Sequence, residues 1–334
     1  MMQQTKSRIW YILAAAFALI LAAAIWFFCT YSVFSGRVIP RRAESVDLRG
    51  TAVSPEEIDA LEEKFPDKTF VWDVPLSGGV RASDAESIAL SSLSAEDIPL
   101  FARFPGLKSV DAALCTDYAA LNALRSAYPA LKLTAFVSVC GKDIPLDAQR
   151  AVLSAGMPLE ELLETLPFLP ELCKVSFAGE AVSYEMQDAL TAAFPGIEFH
   201  WNMELLGKRF SSIATSISFA GQALSEADVE TLCENLFRFP SLERIDLTGC
   251  GLSKEQISSI RAATAALPVY ELTLFGKTVS TDAAGLDFSG IWMGTLGANV
   301  IESVLDEFPR LEKVVMCDCG ISNEDMAAIN DRHE

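Results

Sequence analysis

Residues that could carry out catalysis are few in this sequence, and their spacing forms no recognisable motif. The chain has two histidines, His200 and His333, which lie 133 positions apart. A general base must lie within hydrogen-bond reach of its nucleophile, and spacing assigns no serine or cysteine to either histidine. No H-E-x-x-H, Walker-loop, G-x-G-x-x-G or calcium-loop pattern occurs. We therefore expect a protein that is not an enzyme and has no cofactor, with His200 as a structural or surface residue.

The eight cysteines predict neither a disulfide framework nor a metal site. Their spacings are irregular, and Cys29 lies in the apolar N-terminal segment, so an odd number remains elsewhere. Cys317 and Cys319 form the only tight pair in the sequence, whereas a structural zinc ion needs four ligands. Cys115, Cys250 and Cys319 occupy matching turn positions, where a buried thiol packs as a small hydrophobic group. We expect no bound metal.

The charge of the chain is strongly acidic and argues against nucleic acid as a partner. The formal net charge is −19, from 26 basic and 45 acidic residues. Residues 1–45 contain five of the basic residues and one acid, so the remainder carries 21 basic and 44 acidic residues, a balance of −23. Such a body repels phosphate backbones and anionic lipid surfaces. The same charge also keeps a repetitive protein soluble.

The N-terminal region is apolar enough to predict a membrane helix. Residues 9–29 read IWYILAAAFALILAAAIWFFC and carry no charge, and about 20 apolar residues suffice to cross the hydrocarbon core. Aromatic residues at both ends suit the membrane interfaces. The run is longer than a signal-peptide core and ends in bulky residues, which favours an uncleaved anchor. We predict an N-terminal tail (1–8), a transmembrane helix (9–33) and a linker (34–45).

The charges that flank this predicted helix do not fix its orientation. Lys6 and Arg8 precede it, and Arg37, Arg41 and Arg42 follow it, so the counts nearly cancel. A short tail before a large C-terminal domain is typical of a signal anchor. We therefore predict a single-pass membrane protein with a cytoplasmic N-terminus and an extracytoplasmic body. The opposite topology, a cytoplasm-facing adaptor, stays open.

One phrase recurs along the body. It reads FPSLERIDLTGCGLS at 239–253, FPRLEKVVMCDCGIS at 308–322 and LPELCKVSFAGEAVS at 169–183. An aromatic residue or leucine followed by proline occurs eight times, and successive prolines are 39, 24, 41, 25, 45, 28 and 41 residues apart. Because long and short intervals alternate, the repeating unit is a pair of about 63–73 residues, which indicates stacked copies.

Each copy predicts a short strand, a turn and a helix. Apolar residues alternate after the proline, as in a half-buried strand. A serine with an acid or amide three residues later then predicts a helix N-cap, at Ser54, Ser94, Ser225, Ser253 and Ser322. Every second copy adds a longer alternating strand and a Gly-Lys step, which predicts a hairpin arm with turn chemistry rather than a phosphate loop.

The stretch PSLERIDLTGCGLSKEQISSIRAA resembles a leucine-rich repeat of the ribonuclease-inhibitor-like kind. Leu242, Ile245, Leu247, Cys250 and Leu252 fall on the apolar positions of that repeat. The resemblance implies an α/β fold: a leucine-rich-repeat-like solenoid with a parallel sheet over residues 46–334, preceded by the N-terminal transmembrane helix. The long intervals depart from the even period of the family and imply a less regular solenoid. The segments expected to adjoin within one sheet are 46–48, 110–112, 175–177, 245–247 and 314–316.

Together with the predicted membrane helix, the same resemblance implies a membrane-anchored, non-catalytic recognition or scaffold protein. Its partner would be another protein or a cell-envelope component, bound by outward-facing residues at the strand ends. The last copy lacks the strand expected after its helix, which leaves open a truncated, non-catalytic part of a cell-envelope enzyme. The predicted binding residues are Asp47, Arg49, Asp111, Ser176, Ser218, Arg244, Asp246 and Thr248.

Overall fold

The computed structural model describes residues 2–294 and 296–332, with side chains from Ala14 onward. The chain divides into two compact units. The first unit comprises Met1–Ala148 and Glu160–Glu171, and the second comprises Gln149–Leu159 and Leu172–Glu334.

The N-terminal helix ends earlier than the sequence predicts. Helix α1 (Met2–Thr30) is followed directly by strand β1 (Tyr31–Phe34), which pairs antiparallel with β2 (Arg37–Pro40). The last residues of the predicted span 9–33 and part of the predicted linker 34–45 therefore form a hairpin. Residues 9–13 and the predicted tail 1–8 lie outside the residues whose side chains are described.

No helix among the described residues is long and apolar enough to cross a membrane. A spanning helix needs about 20 apolar residues. This finding contradicts the predicted transmembrane anchor. The predictions of a single-pass topology and a membrane localisation depended on that anchor, and they are wrong as well.

The first unit alternates small parallel sheets with antiparallel hairpins. Four of its five parallel strands have a buried central residue, such as Val46 or Val110, and the strand Lys132–Thr134 has the half-buried Leu133 at its centre. Its parallel sheets are β3 (Ser45–Asp47) with β4 (Thr69–Val71), and β7 (Ser87–Ala89) with β8 (Ser109–Asp111) and β9 (Lys132–Thr134). Its further hairpins are β5 (Asp73–Leu76) with β6 (Gly79–Ala82), and β10 (Phe136–Val139) with β11 (Lys142–Pro145). Its helices are α2 (Pro55–Lys64), a 3-10 helix (Ala95–Arg103), α3 (Tyr118–Ala127), α4 (Leu159–Thr165) and a 3-10 helix (Leu166–Phe168). The first residue of α4, Leu159, belongs to the second unit.

The second unit repeats this alternation. Its core joins the buried centres of neighbouring strands, Ile217 and Ile245, to buried helix residues such as Leu232 and Ile260. The strands are β12 (Arg150–Ser154), β13 (Lys174–Ala181), β14 (Glu198–Leu205) and β15 (Lys208–Ser211) in one sheet, β16 (Ser216–Ser218), β17 (Arg244–Asp246) and β18 (Leu267–Val269) in a second, the hairpin β19 (Glu271–Leu274) with β20 (Lys277–Ser280), and β21 (Gly285–Asp287) with β22 (Lys313–Val315). The helices are α5 (Tyr184–Ala193), α6 (Glu226–Asn235), a 3-10 helix (Leu236–Arg238), α7 (Lys254–Ala263), α8 (Gly297–Glu302), a 3-10 helix (Leu305–Glu307) and α9 (Asn323–Arg332).

The predicted solenoid with one parallel sheet is wrong. The segments 46–48, 110–112, 175–177, 245–247 and 314–316 lie in five separate sheets among the described residues. The physical reason is the hairpin that follows every completed sheet. After Val71, for example, the chain leaves the parallel ladder, and Asp73–Leu76 pairs with the next strand of the chain itself. The structure is a mixed α/β fold of many small sheets, and it does not support a leucine-rich repeat.

The local elements follow the sequence closely. First strands of successive modules begin at residues 87, 150, 216 and 285, so the spacing is 63, 66 and 69 residues, which confirms the predicted paired period. The Ser54 hydroxyl accepts a hydrogen bond from the Glu57 N–H at 3.2 Å, and both Ser225 and Ser253 form the predicted capping boxes. The helix starts are therefore set by the caps that the sequence predicts.

The Gly-Lys steps form hairpin turns, as predicted. Cys140 and Gly141 have φ angles of 50° and 75°, and positive values at both positions are typical of the turn that joins two-residue hairpins. Lys208, after the equivalent turn, reaches the Ser218 carbonyl with its Nζ at 3.0 Å. The lysine thus ties the hairpin to the next parallel strand.

Candidate binding groove in the second unit

A groove in the second unit lies between α5, β14 and the 3-10 helix Leu236–Arg238. The Ser183 hydroxyl caps α5 by accepting from the Met186 N–H at 3.3 Å, and the Phe194-Pro195 step ends the helix and leads the chain into β14. The buried Phe239 fixes the end of the 3-10 helix in the core. The walls of the groove are therefore held by local sequence signals on each side.

The groove is mostly apolar and has the volume of a ligand pocket. Its volume is about 540 Å³, within the roughly 300–1,000 Å³ that is usual for binding sites. Phe199, Trp201 and Phe237 line it with Ile213. The Phe237 side chain is 69% exposed and that of Ile213 is 48% exposed. Large apolar side chains that remain exposed around a concave surface mark an interaction site.

Trp201 carries a buried donor without a partner. Its ring stacks on Phe199 with 5.6 Å between centroids and an angle of 15° between the planes. The indole Nε1 is buried, and the structure describes no hydrogen-bond acceptor for it. Buried polar groups are normally paired, and an unpaired one costs about 1–3 kcal/mol. An acceptor that reaches Nε1 would satisfy this N–H.

The charged groups at the groove are already paired within the protein. Arg238 donates to both carboxylate oxygens of Asp188, at 2.6 and 3.0 Å, and its guanidinium lies 4.7 Å from the centroid of the Tyr184 ring. The hydrogen bonds from Arg238 lower the pKa of Asp188. His200 Nε2 is hydrogen-bonded to Glu198 Oε1 at 2.5 Å, and this bond lowers the pKa of Glu198. Aromatic surface and one indole N–H are what this side of the protein offers a ligand.

The first unit contains a counterpart of this groove. A comparison of the two grooves distinguishes the residues that both share, which we call the framework, from those that differ. Positions 54–84 correspond to 183–213 at a constant offset of 129, and Trp72 corresponds to Trp201. The Asp59–Arg103 pair reproduces the two-bond contact, at 2.5 and 2.9 Å. The counterpart groove has a volume of only about 270 Å³.

Five positions that line both grooves differ between them. Thr191 and Glu198 replace Glu62 and Thr69, and the other three changes alter the apolar surface. His200 replaces Val71, Ile213 replaces Asp84, and Phe237 replaces Ala102. The ion pair and the tryptophan are the same in both grooves, so they belong to the framework. The changed residues make the groove of the second unit larger and more aromatic. An exposed phenylalanine and isoleucine have no role in packing the framework, because alanine and aspartate serve in the counterpart.

The predicted binding residues are only partly brought together. In the second unit the Ser218 hydroxyl donates to Asp246 Oδ2 at 3.2 Å, and Asp246 Oδ1 accepts from the Thr248 N–H at 3.1 Å. Arg244 of the same strand instead donates to Asp282 at 2.5 Å. Ser176 lies beside His200 in the ladder between β13 and β14. Ser176 is thus the predicted residue nearest to the groove.

The remaining predicted residues lie in the first unit, in two different sheets. Arg49 donates to both carboxylate oxygens of Asp47, at 3.0 and 2.7 Å. These bonds, together with the Arg49 backbone N–H, lower the pKa of Asp47 to about 2. Asp111 accepts from the Ala113 N–H at 3.1 Å. Whether any of the eight residues contacts a partner stays a prediction.

The predicted aspartates share a structural task. Asp47, Asp111 and Asp246 each accept the backbone N–H two residues later, so each forms the turn that ends its strand. Asp287 does the same with the Ser289 N–H at 2.9 Å, and the sequence analysis missed it. The stretch LDFSG at 286–290 matches IDLTG at 245–249 and would have revealed it.

Sequence reasoning named His200 at the position of Val71 and assigned it a structural or surface role, and it did not single out Ile213 or Phe237. An alignment of 183–214 with 54–85 would have revealed the change from Asp84 to Ile213. No local pattern brings Phe237 to Trp201, since they are 36 positions apart and meet only through packing.

Metal ligands do not cluster in the part of the chain that the structure describes, where no group of three or more His, Cys, Asp or Glu could hold an ion. Cys317 is exposed and Cys319 is buried, and both are free thiols. Cys115 and Cys250 are buried at the matching turns, and burial raises the pKa of each thiol. These cysteines pack as the sequence predicts.

A scan against protein-family models and a search of curated proteins found no match for this chain.

Proposed function

We propose that this chain is a non-catalytic recognition protein that binds a segment of a partner protein in the groove of the second unit. The observation that carries the proposal is the contrast between the two grooves. The framework of ion pair and tryptophan is kept, whereas His200, Ile213 and Phe237 replace Val71, Asp84 and Ala102. Packing does not require these replacements, and they enlarge an aromatic surface that faces solvent.

The chemistry of the groove defines what the segment must present. Phe199, Trp201 and Phe237 favour an aromatic or branched aliphatic side chain, because burial stabilises by about 25 cal/mol per Å² of apolar area. The unpaired Trp201 Nε1 requires an acceptor, which a peptide carbonyl beside that side chain supplies. Arg238 and Asp188 already pair with each other, so the groove is poorly suited to a ligand that binds mainly through one strong charge. A protein segment fits these requirements better than a phosphorylated or highly charged ligand.

The test selects peptides from a random twelve-residue phage library on the full chain. Selected peptides are labelled, and their Kd is measured by fluorescence anisotropy. We expect enriched peptides to contain an aromatic or aliphatic anchor. The variant His200→Val/Ile213→Asp/Phe237→Ala, which introduces three residues of the first unit's groove, should weaken binding at least tenfold. Trp201→Phe keeps a ring but removes the donor and should weaken binding by about tenfold, the equivalent of roughly 1.4 kcal/mol.

The matched control changes the other groove. Val71→His/Asp84→Ile/Ala102→Phe alters the first unit by the reverse substitutions and should leave the affinity of the original groove intact. A failure to enrich any peptide, or equal binding by the wild-type chain and the variant His200→Val/Ile213→Asp/Phe237→Ala, rejects this function.

A further inference from the structure

In three parallel sheets the last strand makes the same two backbone hydrogen bonds with the strand before it. In the sheet β3–β4 the Thr69 N–H donates to the Glu44 carbonyl at 2.8 Å, and the Leu48 N–H donates to the Val71 carbonyl at 2.7 Å. Sheets β7–β9 and β16–β18 repeat both bonds. The equivalent bonds are Lys132 N to Lys108 O at 3.0 Å, Ala112 N to Thr134 O at 2.8 Å, Leu267 N to Glu243 O at 2.8 Å, and Leu247 N to Val269 O at 2.7 Å.

Strand β22 presents the same two groups without a third strand. Its inner edge pairs with β21, as shown by the Phe288 N–H donating to the Val315 carbonyl at 2.8 Å. The groups on the outer edge are the Glu312 carbonyl and the Met316 N–H. Within residues 2–294 and 296–332 the structure describes no strand paired with this edge. An unpaired edge of this kind is a template for an added strand.

An apolar groove accompanies the open edge. It has a volume of about 390 Å³, and its apolar walls include Leu305, Leu311, Val314, Met316, Met326 and Ile329. In the sheet β3–β4 the central residue of the last strand, Phe70, is only 5% exposed. The groove beside β22 is therefore the space that such a central residue fills elsewhere. Methionines at this surface adapt to different apolar side chains.

The charge around the edge identifies the kind of occupant. Asp306 and Glu312 line the groove with a single basic residue, Lys313, and the first turn of α9 adds Glu324 and Asp325. A segment with lysine or arginine beside its apolar centre is complementary to this surface. A second copy of this chain is disfavoured, because its formal net charge of −19 repels an identical chain.

We infer that the outer edge of β22 binds an extended segment of another protein as a parallel third strand, with an apolar residue at its centre and basic flanks. This is recognition by strand addition, in which backbone bonds give affinity and alternate side-chain pockets give specificity. The inference does not depend on the groove at Trp201, since the two sites share no lining residue.

The test uses a third strand of this protein as its probe. The capped, labelled peptide PALKLTAFV has the sequence of residues 129–137, and its affinity for the full chain is measured by anisotropy. Side-chain and N–H directions alternate along a strand. Methylation of the peptide nitrogen at the residue equivalent to Lys132 removes the bond to Glu312 and should weaken binding at least tenfold. Methylation at the next residue, equivalent to Leu133, points away from β22 and should change the affinity less than threefold.

Substitutions in the protein locate the probe. Met316→Pro removes the N–H donor of the open edge and should abolish binding, while His200→Val/Ile213→Asp/Phe237→Ala should bind the peptide as the wild-type chain does. No binding of the unmodified peptide, or equal loss with both methylated peptides, overturns the inference. Self-association of the peptide-free chain through this edge, detected by sedimentation and lost in Met316→Pro, would assign the edge to a second copy and also overturn it.

Discussion

Ser83 and Trp72 are joined by two hydrogen bonds at the base of the hairpin β5–β6. The Trp72 N–H donates to the Ser83 hydroxyl at 3.1 Å, and the Ser83 N–H donates to the Trp72 carbonyl at 2.8 Å. Both residues are buried. Ser212 with Trp201 and Thr281 with Tyr270 repeat the arrangement. The buried hydroxyl therefore pairs a backbone N–H that the hairpin would otherwise leave without an acceptor.

Removal of this hydroxyl should destabilise the first unit. Ser83→Ala leaves the Trp72 N–H buried and unpaired, and we expect the free energy of unfolding to fall by about 1–2 kcal/mol. Ser83→Thr should keep most of the stability, because Thr281 occupies the same position in the second unit. Urea denaturation of both variants measures the difference. Ser91→Ala, at an exposed serine of the same unit, is the control, and an equal loss in the control would contradict this explanation.

Ion pairs join consecutive helices, and the acidic partner lies on the first helix in one pair and on the second helix in another. Asp188 on α5 pairs with Arg238, whereas at the next boundary Arg261 on α7 pairs with Glu307. We expect Arg261→Glu to destabilise the second unit by about 1 kcal/mol, because two carboxylates then face each other. The double variant Arg261→Glu/Glu307→Arg should recover that loss, since it restores the order found at Asp188.

A double-mutant cycle by chemical denaturation measures this coupling. The cycle combines Arg261→Glu, Glu307→Arg and the double variant, and it should give a favourable coupling of about 0.5–1 kcal/mol. The hydroxyl of Tyr270, which donates to Glu307 in the wild-type chain, can accept from an arginine. Additive effects of the two substitutions would show that the pair contributes no coupling.

Local structure was predictable from the sequence because its causes are local. The cap at Ser54 and the Gly-Lys turn at Gly141 depend on residues a few positions apart, and both are found. The grouping of strands into sheets depends on which edge each strand pairs with, and the sequence does not specify that the chain leaves the ladder after Val71. The groove was not predictable for the same reason, since Phe237 reaches Trp201 only through packing.

The carboxyl group of Asp47 should titrate at unusually low pH. Hydrogen bonds from the Arg49 side chain and backbone lower its pKa to about 2, from about 3.9 in an unfolded chain. A lowered pKa in the folded state favours folding above the unfolded value. This contribution is therefore present above about pH 4 and is lost as the pH falls toward 2.

NMR titration of the Asp47 carboxyl carbon measures this shift. The midpoint should lie near pH 2 in the wild-type chain and should rise toward the ordinary aspartate value in Arg49→Gln. Asp84→Asn is the control, because Asp84 lies 3.8 Å from Arg49, whereas the hydrogen bonds that lower the pKa of Asp47 come from Arg49 itself. An unchanged midpoint in Arg49→Gln would show that the arginine does not cause the shift.

Phe237 and Phe239 should separate recognition from stability within one short segment. Phe237 is 69% exposed beside the groove, whereas Phe239 is 3% exposed in the core. Phe237→Ala should change the free energy of unfolding by no more than about 0.5 kcal/mol, because surface positions tolerate truncation. Phe239→Ala should cost about 3–5 kcal/mol, because it leaves a cavity in the core. Urea denaturation measures the free energy of unfolding of both variants. A large loss of stability in Phe237→Ala would show that the exposed ring is needed for packing, and its position in the groove would then need no ligand to explain it.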